Sequence, residues 1–198
     1  PTLRRQRQMC IRDRYKSEAV GTAALGGVIP QTVPVLEDGS IDIEVAIGKV
    51  KSDDMHFPRT KLLCLENTYN GKPLSPKYMQ RATAAARKVN LRSHLDGARL
   101  MNAAIANKCT PRELASSFDT VSLCLSKGLG APVGSVLVGN QDFINEARRV
   151  RKMLGGGMRQ AGILAACGIV AMKNQVDRLI QDHALAARLA SELAQIPD

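Results

Sequence analysis

Ser122–Gly134 reads SLCLSKGLGAPVG, and the order of the chain unfolds from it in both directions. The apolar run Thr120–Leu125 predicts a buried strand. It ends at Ser126-Lys127, after which Gly128, Gly130, Pro132 and Gly134 rule out a regular helix. A strand therefore delivers a lysine into a loop whose missing side chains leave room around it. Two readings fit: a tight turn with a solvated ammonium group, or an amine in a confined apolar site. In such a site the charged form is disfavoured, and the free amine can attack an aldehyde to form an imine. The Gly-Lys-Ser/Thr order of a Walker-type phosphate loop is absent.

Upstream, Leu91–Leu95 predicts a second strand, and His94-Leu95-Asp96-Gly97-Ala98-Arg99 puts an acid at its end. Arg99 follows three residues later, where a helix begins. A buried carboxylate is costly unless a cation or strong donor meets it. Asp96 is thus either a helix-capping aspartate beside a surface arginine or an acid that holds a protonated heterocycle.

Further out, Lys61–Leu65 (KLLCL) predicts a strand, and Ser75–Val89 a helix capped by Ser75 with Pro76 in its first turn. Ala98–Ala106 predicts a helix and Thr110-Pro111 starts a short one. Val133–Val138 follows a turn too tight for a helical crossover, which predicts antiparallel pairing with the strand before it. Near the start, Glu18–Pro34 is rich in glycine and small residues, and strands are expected only later. The EDGS of Glu37–Ser40 predicts a turn, with Ser40 capping a helix over Ile41–Lys51. From Gln141 onward the pattern is a helix, a break at Gly155–Gly157, and long Ala- and Leu-rich helices. Alternating strands and helices predict an α/β fold with a mainly parallel sheet flanked by helices, whose ligands bind beyond the carboxyl ends of the strands.

Composition excludes some functions. Of 198 residues 44% are hydrophobic and 23% charged, which places the chain among globular proteins. Aromatics are 3% and tryptophan is absent, so a base-stacking platform for nucleic acid is not expected. No apolar run approaches the roughly 20 residues of a membrane-spanning helix. The net charge is +10, but residues 1–16, PTLRRQRQMCIRDRYK, hold six basic residues and one acidic one. A nucleic-acid-binding protein acting through this segment is therefore the competing class. Residues 1–14 resemble a translated sequencing-adapter remnant centred on MCIRDR, and are expected to be a non-native or disordered segment outside the fold. Cys10, Cys64, Cys109, Cys124 and Cys167 form an odd set without CxxC spacing. That suits free thiols, a reducing compartment and a cytoplasmic location.

Three motifs, HLDGARLMNAA from His94, SLCLSKGLGAPVGS from Ser122 and RKMLGGGMRQAGILAA from Arg151, resemble the low-specificity L-threonine aldolases, or L-allo-threonine aldolases. The resemblance runs from about Glu18 to the end. It implies a pyridoxal 5′-phosphate (PLP) enzyme of aminotransferase-like fold type I that cleaves L-threonine or L-allo-threonine to glycine and acetaldehyde. It further implies a homodimer or homotetramer with shared active sites, and no metal. Lys127 matches the lysine that carries the cofactor, Asp96 the acid on the pyridine nitrogen, and Arg99 the arginine that binds the substrate carboxylate. His56, in SDDMHFPRTKLL, matches a histidine near the β-hydroxyl; read alone it is a loop histidine before Pro58. Lys152 and Arg159 flank the glycine break and match a basic loop near the cofactor phosphate. Read alone they are solvated charges on a flexible connection.

Glu66-Asn67-Thr68 matches the family's ENT segment, with Tyr69 where many relatives have histidine. His94 is expected to be structural, and His183 a solvated helix residue. The resemblance implies a PLP-binding large domain over 15–175, incomplete at its amino end, and a helix over 176–198 that leads to a small domain absent here. The family's phosphate-binding loop would precede residue 1, and its ring-stacking histidine falls at Asp13, so this chain alone is expected to be a poor aldolase. Another fold type I enzyme (racemase, transaminase or β-lyase) and an inactive fragment remain as alternatives.

Overall fold

The computed structural model describes residues 7–10 and 20–196. Within them β1 (Arg7–Cys10), β2 (Ile29–Thr32), β3 (Thr60–Glu66), β4 (Arg92–Gly97), β5 (Thr120–Cys124) and β6 (Ser135–Val138) form one sheet in the order β2-β1-β3-β4-β5-β6. All neighbouring strands run parallel except β5 and β6. The helices are α1 (Gly21–Ala24), α2 (Ile43–Gly48), α3 (Pro76–Lys88), α4 (Leu100–Asn107), α5 (Pro111–Ala115), α6 (Gln141–Met153), α7 (Gly162–Asn174) and α8 (Leu179–Leu193). The mainly parallel α/β architecture and the antiparallel β5–β6 pair agree with the sequence reading.

Local chemistry sets the helix starts. Ser75 Oγ accepts from Tyr78 N–H at 3.2 Å, with Pro76 where a missing N–H costs nothing. Thr110 and Glu113 form a reciprocal capping box. The expected Ser40 cap is corrected. Ser40 is buried and its hydroxyl donates to Asp38 at 2.6 Å, while Asp42 accepts from Glu44 and Val45 N–H and begins the helix at Ile43. Asp38 competes for Ser40 within the turn and wins.

The exclusion of residues 1–14 from the fold is corrected at Arg7–Cys10. This segment is β1, paired on both sides by β2 and β3. Strand pairing uses main-chain groups, so an arginine-rich stretch without an apolar period can still enter a ladder. The rest of that segment lies outside the described residues. Ile29–Thr32 was likewise not foreseen as a strand; it is four residues long and contains Pro30.

Along a strand successive side chains take opposite faces. The registers Leu65↔Leu95 and Leu95↔Val121 therefore line one face with apolar residues. These form the main core with Met79, Ala82 and Ala103 of the covering helices. The other face is polar: Cys64, His94 and Thr120 lie in one row, and Glu66, Asp96 and Ser122 in the next. His94 is buried, with Nδ1 2.8 Å from Thr120 Oγ1. Among the described residues no helix is long and apolar enough to cross a membrane.

Asp119 pins the start of the β4–β5 pair. Its Oδ2 accepts from Ser93 N–H at 2.8 Å and from Ser93 Oγ–H at 2.9 Å, and its Oδ1 accepts from Arg92 at 3.0 Å. Burial is the largest single influence and pushes this carboxyl up, but the Ser93 and Arg92 hydrogen bonds and the Arg92 charge outweigh it and hold it below its ordinary value. A lowered carboxyl stabilises the fold above its unfolded value, about pH 4, and the contribution is lost as pH falls through the lower folded value. Asp119→Asn should lower the urea midpoint at pH 7, and the two proteins should converge as pH drops from about 4 toward 2. A gap that stays constant with pH would show that the carboxylate charge is not what stabilises.

Candidate active site

Two loops leave the carboxyl edge of the sheet side by side. The first leaves β4, where Asp96 pairs with Glu66 on one side and Ser122 on the other. Asp96 O accepts from Asn67 N–H at 2.9 Å, and Asp96 Oδ1 accepts from Ala98 N–H at 3.1 Å. The carboxylate thus shapes the turn into α4 while facing the polar side of the sheet. Position 97 must lack a side chain, since a Cβ there would stand 2.8 Å from Ser122 O and 3.2 Å from Leu100 Cβ. Arg99, the residue before α4, is exposed.

The second loop leaves β5. Lys127, three residues past its end, is exposed, and its carbonyl accepts from Gly130 N–H at 2.9 Å. Gly130, at φ +71°, closes this turn in a conformation that favours glycine. Leu125 N–H donates to Gly134 O and Ala131 N–H to Leu125 O, at 2.9 and 3.0 Å. Leu125, Leu129 and Ala131 then anchor the loop in a second core with Met101 of α4, Ala171 of α7 and Leu179 of α8. A narrow crevice lined by Ala98, Arg99, Asn102, Cys124, Gly128 and Leu129 joins the two loops. Burial raises the Cys124 thiol pKa most strongly. Hydrogen bonds with Ser126 and Ser135 and the Lys127 charge together outweigh it, so the thiol lies below its ordinary value.

The structure thus brings Asp96, Arg99 and Lys127 to one edge. It does not bring His56 there. That residue sits in an exposed turn before β3, its N–H donating to Asp54 Oδ1 at 2.7 Å, at the amino edge of the sheet. Lys152, in the last turn of α6, and Arg159, on the connection to α7, are exposed, and a Cβ at Gly157 would stand 2.7 Å from Lys152 Nζ. Tyr69 is buried in the main core, so its ring packs inward rather than lining the edge. His183 is corrected from a solvated residue to a half-buried one, with Nε2 3.2 Å from Asn102 Nδ2. The sequence signal was its spacing of four from the fully buried Leu179 on α8.

An amine, an acid and a guanidinium on one edge suit an aldehyde-bearing heterocycle and an amino-acid carboxylate. Thr68, past the end of β3, adds a buried hydroxyl with no hydrogen-bond partner. An unspent polar group at that edge fits a ligand site, because buried hydroxyls are normally paired. Among the described residues no group of three or more His, Cys, Asp or Glu could hold a metal. Cys64, Cys109, Cys124 and Cys167 are not in disulfides.

Fold and site together define an α/β protein with a candidate ligand site at the carboxyl ends of parallel strands. The chain belongs to the beta-eliminating lyase family, whose model matches residues 3–198. It is 51% identical over 181 residues to the low specificity L-threonine aldolase of Escherichia coli K12, covering 91% of this chain and 54% of that protein. The solved threonine aldolase of Leishmania major shares the fold, with a TM-score of 0.79 at 23% identity over 94% of this chain and 57% of that one. An aminotransferase from Staphylococcus aureus does so with a TM-score of 0.71 at 21% identity, over 96% and 51%. The chain spans about half the length of the curated relatives it matches.

The close approach at Gly97 is directly testable. Gly97→Ala should cost about 1–3 kcal/mol in urea unfolding, because main-chain Ser122 O cannot retreat without disturbing the ladder. Gly162→Ala on α7, where nothing lies within 4 Å, should gain roughly 0.5–1 kcal/mol. Equal effects at both positions would remove the steric account.

Proposed function

We propose that this chain forms part of a PLP-dependent lyase that cleaves L-threonine or L-allo-threonine to glycine and acetaldehyde. The observation that carries this reading is that the Asp96–Arg99 turn and the Lys127 loop leave adjacent parallel strands, β4 and β5, at one edge of the sheet. Its support in kind is the 51% identity to a protein named for that activity. The Asp96 carboxylate would keep the proton on the pyridine nitrogen, and the Lys127 amine would hold the aldehyde carbon. The Arg99 guanidinium would take the substrate carboxylate in a two-pronged hydrogen bond, which its planar fork suits better than an ammonium. Lys152 and Arg159 would neutralise the phosphate. When bound, the cofactor supplies a sink for the electron pair released as the Cα–Cβ bond breaks. The chain's own part is to hold the amino acid by its carboxylate so that the breaking bond is aligned, and to keep the ring nitrogen charged.

The β-hydroxyl proton needs an acceptor, and His56 can provide one only from a second copy, since its turn lies at the far edge of its own sheet. Met55 and Phe57, which flank it, are 93% and 45% exposed, apolar surface suited to burial between copies. The proposed assembly is therefore a homodimer or homotetramer with shared sites, in the cytoplasm, with no nucleic-acid partner.

Incubation with PLP followed by borohydride should fix the pyridoxyl group to Lys127 on peptide mapping, and Lys127→Ala should abolish it. Label confined to other lysines would remove the assignment. Asp96→Ala should lower the melting temperature by no more than about 5 °C, the cost of its bond to Ala98 N–H, while cutting threonine cleavage by on the order of 100-fold, as expected when a charge partner of the transition state is lost.

A further inference from the structure

The turn that carries Lys127 lies against a polar pair, Asn102 and His183, that the proposed reaction leaves unused. Asn102, in the first turn of α4 and three residues after Arg99, lines the crevice between the two loops. A Cβ at Gly128 would stand 3.1 Å from Asn102 Oδ1 and 3.0 Å from Leu179 Cδ2, so the residue after Lys127 lies directly against α4 and α8. Asn102 Nδ2 is in turn 3.2 Å from His183 Nε2. An amide nitrogen only donates, so with this amide assignment Nε2 accepts and the neutral ring carries its proton on Nδ1. The amide thus lies beside Gly128, where a Cβ would stand nearer to Oδ1 than to Nδ2, at 3.1 against 3.5 Å. One face of α8 thus bears on the Lys127 turn directly, by packing through Leu179, and, one helical turn later, indirectly, through the His183 contact with Asn102.

We propose that His183 is a positioning residue for Lys127, acting through Asn102. The proposal rests on the reading of Lys127 as the amine that holds the cofactor. Without the acceptor on His183, the Asn102 amide is released to rotate about its last torsion and no longer offers Gly128 a fixed surface. The apolar contacts of Leu125, Leu129 and Leu179 remain, so the fold persists while the turn loosens. The consequence therefore falls on the attitude of Lys127 rather than on global stability.

Two variants of the full chain separate these effects: His183→Leu keeps bulk without an acceptor, and His183→Gln supplies an amide oxygen that can accept from Asn102. Hydrogen exchange over residues 125–131 should speed up about tenfold in His183→Leu and return to within about twofold of the parent in His183→Gln. PLP trapped at Lys127 by borohydride should show about fivefold weaker apparent affinity in His183→Leu, the size expected for one lost hydrogen bond, with rescue by His183→Gln. Melting temperatures of both should stay within about 3 °C of the parent. Unchanged exchange in His183→Leu overturns the proposal, as does a His183→Gln variant as impaired as His183→Leu. A His183→Leu chain that fails to fold assigns the residue to stability and also overturns it. Failure of the parent chain to trap PLP at Lys127 overturns the proposed function instead. The exchange measurement needs no cofactor and still decides whether His183 supports the turn.

Discussion

The register of β4 on β5 is the constraint on which the rest depends. Asp96 lies opposite Ser122, and a slip of one residue would turn the carboxylate into the apolar face now occupied by Leu95 and Val121. Main-chain ladders alone resist such slips weakly, because every register offers the same hydrogen bonds. Two side-chain features at opposite ends remove the ambiguity. At the amino end Asp119 binds Ser93 through both its main chain and its hydroxyl. At the carboxyl end only glycine at 97 allows the approach to Ser122 O. A polar clasp and a steric requirement therefore fix the same alignment from independent causes.

The two cores divide the work. The main core binds the sheet to α3, α4 and α5 and would hold an α/β unit whatever its ligand. The second is small and takes Met101, Leu125, Leu129 and Leu179 from α4, the Lys127 loop and α8, so its packing and the posture of the lysine are the same fact. Gly168 shows how close the fit is. A Cβ there would stand 2.8 Å from Leu125 Cδ1, so a side chain on α7 at that position would push the Leu125 methyl aside.

What could be read in the sequence follows from how local each cause is. Strands β3, β4 and β5, the Ser75 and Thr110 caps, and the lysine and aspartate at strand ends are written in contiguous residues. So is the antiparallel return of β6, since a loop of some ten residues leaves no room for a crossover helix. Strands β1 and β2 were illegible because RQMC and IPQT hold no apolar run like that of β6, and their place in the sheet comes from pairing with each other and with β3. Ser40 and Asp42 competed for one cap, and only the Asp38 contact decided between them. The role of His183 depends on Asn102, 81 residues earlier, and no local pattern encodes such a pair.

Strand geometry also bears on how the site is completed. β3 runs seven residues from Thr60 to Glu66, which at about 3.3 Å per residue separates the two edges of the sheet by roughly 20 Å. His56 precedes Thr60 by four residues, and its turn is closed locally by Asp54, which accepts from both His56 N–H and Phe57 N–H. No imidazole reaches across that distance. His56 and Lys127 of one chain therefore stand at opposite edges of their sheet, and under the proposed function the imidazole would come from a second copy. The exposed Met55 and Phe57 would give the turn an apolar surface to bury in such a pairing. A lysine and acid fixed within one sheet, with a proton acceptor lent by another copy, would tie catalysis to assembly, because the bond-aligning residues and the proton-accepting residue would meet only when two copies do.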